Sequence, residues 1–211
     1  GSLNGAVPVS GIVVPSRNGI AVRVKAADAG AAMRAAGIFA TARGGALTVQ
    51  LTPRAQKGVY DGRADISSFR VRGANVLAEL LSALSVVGLL EQLNGEGIAF
   101  NQAEVDFIIT PQAIEITQGA AMGASLGVSM AGLYGTQTKR LALQGVVSPL
   151  YLVNGIGALM SRRGEGIFGF NYALGGTADA PQVSVNPLSI LTPGMFREIF
   201  RSPAPVLRQA N

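Results

Sequence analysis

Apolar and polar residues alternate with period two in several short stretches of the chain. Ile20, Val22 and Val24 alternate with Ala21, Arg23 and Lys25, and Leu47, Val49 and Leu51 with Thr48 and Gln50. Val105, Phe107 and Ile109 alternate with Glu104 and Asp106, and Ile114 and Ile116 flank Glu115. Leu126, Val128 and Met130 alternate with Gly127 and Ser129, and Leu141 and Leu143 follow Lys139-Arg140. This is the pattern of antiparallel strands buried on one face. Ser16-Arg17-Asn18-Gly19 and Thr110-Pro111-Gln112-Ala113 read as hairpin turns. About nine strands in one meandering sheet are expected.

Helical patterns interrupt the strands. Asp28 is placed to cap a short helix running to about Ile38. The strongest helix is expected over Val76 to Leu93, ending at Asn94-Gly95. Val76, Leu77, Leu80, Leu81, Leu84 and Val87 form its apolar stripe, and Val86, Leu89 and Leu90 make the second half apolar nearly all round. Such a helix needs cover on more than one side. Residues 150–160 form a second apolar stretch. Pro187 and Pro193 stand where short helices begin.

Strands of about six residues are about 20 Å long. A flat layer of that many strands would expose a large apolar face and aggregate. The pattern predicts a mainly β domain whose repeated apolar face is either an ordinary sandwich core, which periodicity alone favours, or the inside of a curved sheet forming a trough with the apolar helices as lid or plug.

Composition narrows the chemistry. Hydrophobic residues make up 48% of the 211, and charged residues only 14%, which excludes a disordered chain. There is no His and no Cys, so thiolate nucleophiles, His-based triads and Cys/His zinc sites are excluded. Absent Cys also suits an oxidising compartment. Gly155-Ile156-Gly157-Ala158 and Gly164-Glu165-Gly166 lack the Lys-Ser/Thr ending of a phosphate loop and read as turns. Glu104, Asp106 and Glu115 share polar strand faces, where they read as a solvated surface rather than an acid–base pair. Ser125 and Ser129 have no His partner and read as strand residues. No enzyme activity, cofactor or metal is expected.

The net charge is +5, and all but Lys25, Lys57 and Lys139 of the 17 basic residues are Arg. They are scattered and not set among aromatics, unlike the basic patches of nucleic-acid binders. No nucleic-acid partner is expected, and an anionic membrane surface suits the charge better. Arg140, Arg162 and Arg163 stand next to apolar segments and are candidate contacts for lipid headgroups. No stretch of 18 uncharged apolar residues is present to span a membrane. Gly1-Ser2 looks like a cloning scar, residues 3–203 read as one domain, and 204–211 as a tail.

Several segments carry a family resemblance. Gly176 to Phe200, with Asn186-Pro187-Leu188-Ser189-Ile190-Leu191-Thr192-Pro193-Gly194 at its centre, resembles the C-terminal signature of AsmA-like proteins. Leu143, Gly145, Pro149, Tyr151 and Asn154 match the family's L-x-G-x-x-x-P-x-Y-x-x-N pattern. Leu89-Leu90 with Gly95 to Phe100 is similar to the family's helix exit, and Gly123 to Ser129 with Gly132 to its next strand. After Asn154 the family's Ile-Pro-Leu-Leu-Gly stretch is replaced by Gly155-Ile156-Gly157-Ala158-Leu159-Met160.

The resemblance, closest to the YhdP and TamB type of bridge-like lipid-transfer proteins, covers about residues 30–203. It implies the periplasmic portion of an inner-membrane-anchored protein of the Gram-negative envelope. It further implies a taco-like β groove that carries phospholipid, or another acyl-chain lipid, between inner and outer membrane. Partner proteins in either membrane are implied with it. On that reading Val105, Phe107, Ile109, Ile114, Ile116, Leu126, Val128, Met130, Leu141 and Leu143 line the groove. Leu80, Leu84, Val87, Leu89 and Leu90 face it from the lid helix. The alternative is a structural module for outer-membrane biogenesis that docks envelope proteins through its sheet edge.

Overall fold

In the computed structural model, residues 1–3, 7–149 and 169–186 are described. Eleven antiparallel strands form one sheet in which every strand lies beside its neighbours in sequence. The strands are β1 (Ser2–Leu3), β2 (Val7–Ser16), β3 (Gly19–Ala26), β4 (Ala42–Pro53), β5 (Tyr60–Val71) and β6 (Ile98–Ile109). β7 (Ala113–Gly123), β8 (Leu126–Gly135), β9 (Leu141–Pro149), β10 (Phe170–Gly176) and β11 (Pro181–Asn186) complete it. The sheet is not closed, because β1 and β11 are not paired with each other. The expected count of nine falls short by two. β5 escapes the period-two pattern because Gly62 and Ala64 dilute its apolar face and Ser68 interrupts the alternation, and β1 is only two residues long.

Both expected hairpins form. Ser16 pairs with Gly19 across a two-residue turn. At the other, the Thr110 and Ala113 backbones are joined at 2.9 Å, and the Thr110 hydroxyl accepts from the Ala113 N–H at 3.0 Å. Ser125 lies in the turn between β7 and β8 rather than in a strand, 3.3 Å from the Gln92 side chain.

Three helices are described. α1 (Ala29–Ala35) starts where Asp28 accepts from the Ala31 N–H at 2.8 Å. It stops before Ile38, because Gly37 takes a left-handed conformation at φ 69°. The expected single helix over 76–93 is two helices, α2 (Asn75–Ala83) and α3 (Val87–Asn94). The break is a C-terminal turn built on Ser85, at φ 56°. The Ser85 N–H donates to Ser82 O at 2.9 Å, and the Val86 N–H to Leu81 O at 3.0 Å. Glycine usually fills that left-handed position, so its serine gave no stop signal. No described helix is long and apolar enough to cross a membrane. The expected helices at 150–160 and after Pro187 and Pro193 lie outside the described residues.

All three helices sit at one end of the sheet, on one face. Gly30 brings α1 onto β4, where a Cβ would stand 2.6 Å from Ala42 O. α2 and α3 pack on a cluster that includes the stacked rings of Phe69 and Phe100, 5.2 Å apart. α2 also packs against β11. In a flat sheet β11 would stand six strand spacings from β5, about 29 Å, whereas a nine-residue helix is about 13 Å long. The sheet therefore curls toward the helices.

Candidate functional site: one apolar sheet face

Antiparallel pairing puts directly opposed residues on the same side of a sheet. The register can therefore be followed from strand to strand. From β2 to β6, Val13 is opposite Val22, Val22 opposite Leu51, Leu51 opposite Gly62, and Gly62 opposite Phe107. From β6 to β11 the row continues through Ile116, Gly132, Leu143, Leu174 and Val183. No member is polar. A neighbouring row runs Val24, Val49, Ala64, Val105, Gly119 and Met130, equally apolar.

Irregularities in the ladder preserve this face instead of breaking it. Ser68, at φ 54°, and Asn101 stand between the paired residues of β5 and β6. They let Phe69 and Phe100 fall on the same side as Ile66 and Ala103. The pairing of β7 shifts between Ile116 and Gly119, which keeps Gly119 and Ala121 in line with Ile116. Simple period-two counting misses these shifts.

The charges lie on the opposite face. Arg63 reaches Asp65 at 3.2 Å, Glu104 at 3.1 Å and Asp106 at 3.4 Å. Its guanidinium is held above its ordinary pKa, first by the hydrogen bond to Asp65 and then by the charges of Asp65 and Asp106. Glu104 and Asp106 are thus tied to an arginine, and Glu115 is exposed in β7. Arg54 grips Asp61 at 2.6 and 3.0 Å, and the bond holds the Asp61 carboxyl below its ordinary value. Among the described residues, no group of three His, Cys, Asp or Glu is placed to hold a metal.

The register puts all ten candidate groove residues on the apolar face, but in different depths of cover. Leu126 and Leu143 are buried beneath the helices. Ile116, Val128, Met130 and Leu141 pack at the margin of that cluster. Val105, Phe107, Ile109 and Ile114 lie beyond it, half-buried. The Phe107 ring lies over Gly62, where any Cβ would collide with it. Not among the sequence candidates are further members of this face, Val22, Leu51 and Ile66 toward β3 and Leu174 and Val183 toward β11. The alternation at Val22 and Leu51 is visible in the sequence, but their alignment with Phe107 is set by long-range pairing that no local pattern shows.

Of the lid candidates, Leu80 and Leu89 are buried, and Leu84 and Leu90 pack against the same cluster. Val87 does not belong with them, at 63% exposed. The break at Ser85 ends the stripe that Val87 would have continued, and the new helix turns Leu89, Leu90 and Leu93 inward instead. Arg140 is exposed at the β8–β9 turn, its backbone bridged to Thr177. Arg162 and Arg163 lie outside the described residues.

In comparisons with known proteins, no family model matches this chain, and neither does any curated protein or solved structure.

Proposed function

We propose that this chain is a non-enzymatic lipid-binding and lipid-transfer module, a segment of an AsmA-like β groove that carries phospholipid through the periplasm. One observation carries the reading: an unbroken apolar row from β2 to β11 with the ion pairs on the other face. A curled sheet with such a face offers acyl chains an apolar path, and each buried CH₂ favours that path by about 0.8 kcal/mol. The helix pair acts as a plug or lid at one end, and chains lie along Val105, Phe107, Ile109 and Ile114 beyond it. Arg140 meets headgroups at the far rim.

The test is mass spectrometry of lipid extracted from the purified protein, together with uptake of a fluorescent phospholipid from detergent. The expected result is stoichiometric phospholipid with saturable uptake. Protein free of lipid that also takes none up overturns the reading.

A second reading rests on β2. Ile12, Val13 and Val14 are 60%, 63% and 51% exposed, and among the described residues only Gly1, Ser2 and Leu3 pair with the outer edge of that strand, all at or before Val9. Such an edge accepts an added strand, so the chain would serve as a docking module for envelope proteins. Disulfide trapping at position 13 against a partner strand separates this reading from lipid carriage.

A further inference from the structure

The turn that ends α1 leaves its apolar residues outside. The Gly37 and Ile38 N–H groups donate to Arg34 O and Met33 O, both at 3.0 Å. In such turns the residue after glycine usually packs back on the helix. Here Ile38 is 76% exposed, and Phe39 beside it is 38% exposed.

Four arginines gather around the same turn. Arg34 and Arg43 both donate to Ala42 O, at 2.7 and 2.8 Å, and Arg43 also to Ala40 O at 2.6 Å. Two guanidinium groups on one carbonyl oxygen stand within about two hydrogen-bond lengths of each other. Arg70 is the cross-strand partner of Arg43 and donates to Gly97 O at 3.1 Å. The Arg72 N–H donates to Thr41 O at 3.1 Å, two residues from Phe39.

One exposed acid, Glu96, stands beside the group, its carbonyl oxygen accepting from Arg70 at 3.4 Å, but among the described residues its carboxylate makes no ion pair with the four. Directly opposed like charges on neighbouring strands are destabilising. Yet among the described residues none of the four makes an ion pair, whereas Arg54, Arg63 and Lys139 all do. No Asp or Glu stands between Asp28 and Asp61 in the chain, and Asp28 is turned to cap α1.

We infer that this end of the sheet docks on an anionic lipid bilayer. Ile38 and Phe39 enter the interface, and Arg34, Arg43, Arg70 and Arg72 face the phosphates. Charge complementarity selects the occupant. A bilayer presents anionic phosphates with an apolar layer directly beneath them, matching an apolar tip ringed by cations. Duplex nucleic acid supplies the charge without a place for Ile38. The docking does not depend on the sheet face carrying lipid.

The chain has no Trp, so Ile38→Trp installs a single reporter at an exposed position. Its emission is expected to shift to the blue with phosphatidylglycerol vesicles, to stay put with phosphatidylcholine vesicles, and to return as salt is raised. Arg72→Gln is expected to weaken vesicle flotation about five-fold, the worth of one basic residue near an anionic surface. Ile38→Ser with Phe39→Ser is expected to abolish it. Unchanged emission with phosphatidylglycerol vesicles overturns the inference, as does undiminished flotation of the serine pair. A shift with duplex DNA and none with vesicles also overturns it.

Discussion

The Tyr172 hydroxyl on β10 donates to the Ser129 carbonyl oxygen on β8 at 2.9 Å, reaching across β9. Gly145 makes the reach possible, since a Cβ there would stand 2.9 Å from the Tyr172 oxygen. Beneath it the β8–β9 ladder is interrupted. Regular pairing resumes at Val128 with Val147 on one side and Ala131 with Gln144 on the other. In the gap the Val146 N–H donates to the Ser129 hydroxyl at 3.2 Å. Side chains thus substitute for backbone bonds in this gap of the β8–β9 ladder.

Tyr172→Phe removes one buried hydrogen bond and leaves the ring in place. The expected loss is about 1 kcal/mol, read as a lower midpoint in urea with an unchanged slope. Gly145→Ala forces a methyl group into the same space and is expected to cost more, about 1–3 kcal/mol.

Ser85 holds the left-handed position between α2 and α3. A non-glycine residue there costs about 1–2 kcal/mol, which glycine avoids against a smaller entropic loss. Ser85→Gly is therefore expected to stabilise the protein by about 0.5–1 kcal/mol. Ser85→Val, β-branched at positive φ, is expected to lower the thermal midpoint. Equal midpoints for the two variants would mean that the turn opens readily.

Asp61 gives a pH dependence with a defined sign. Its hydrogen bond to Arg54 lowers its folded pKa below the ordinary 3.8. The pair's contribution is thus present above that value and lost as pH falls through the folded pKa. Both side chains are about half exposed, so the effect is small and screened. Asp61→Asn is expected to melt slightly below the parent at neutral pH. The two curves should merge in strong acid and in high salt.

The sequence made the β class legible wherever one face alternated cleanly, as in Val105–Ile109 and Leu126–Met130. It made α1 legible through Asp28. It hid the rest for local reasons. Ser85 breaks a helix without glycine or proline. Ser68 and Asn101 reverse the alternation of β5 and β6 at a paired bulge, so a period-two reading puts Phe69 and Phe100 on the wrong side of Ile66 and Ala103. The proposed dock at Ile38 includes Arg70 and Arg72, which come beside the segment after α1 only through the pairing of β4 with β5.

The apolar face itself can be tested as groove or as sealed core by comparing two of its residues. Leu126 is fully buried in the apolar cluster that the helices cover, so an arginine there is stripped of water. Leu126→Arg is expected to unfold the domain, as unpaired buried charges do. Val105 lies on the same face beyond the helix cluster, half-buried between Ala64 and Gly119. In an open groove its arginine extends along the trough toward solvent. Val105→Arg is then expected to cost less than about 1.5 kcal/mol and to abolish co-purifying phospholipid. Circular dichroism melts report the first quantity and lipid extraction the second. If Val105→Arg unfolds as thoroughly as Leu126→Arg, the face is sealed along its whole length, and no acyl chain passes over it.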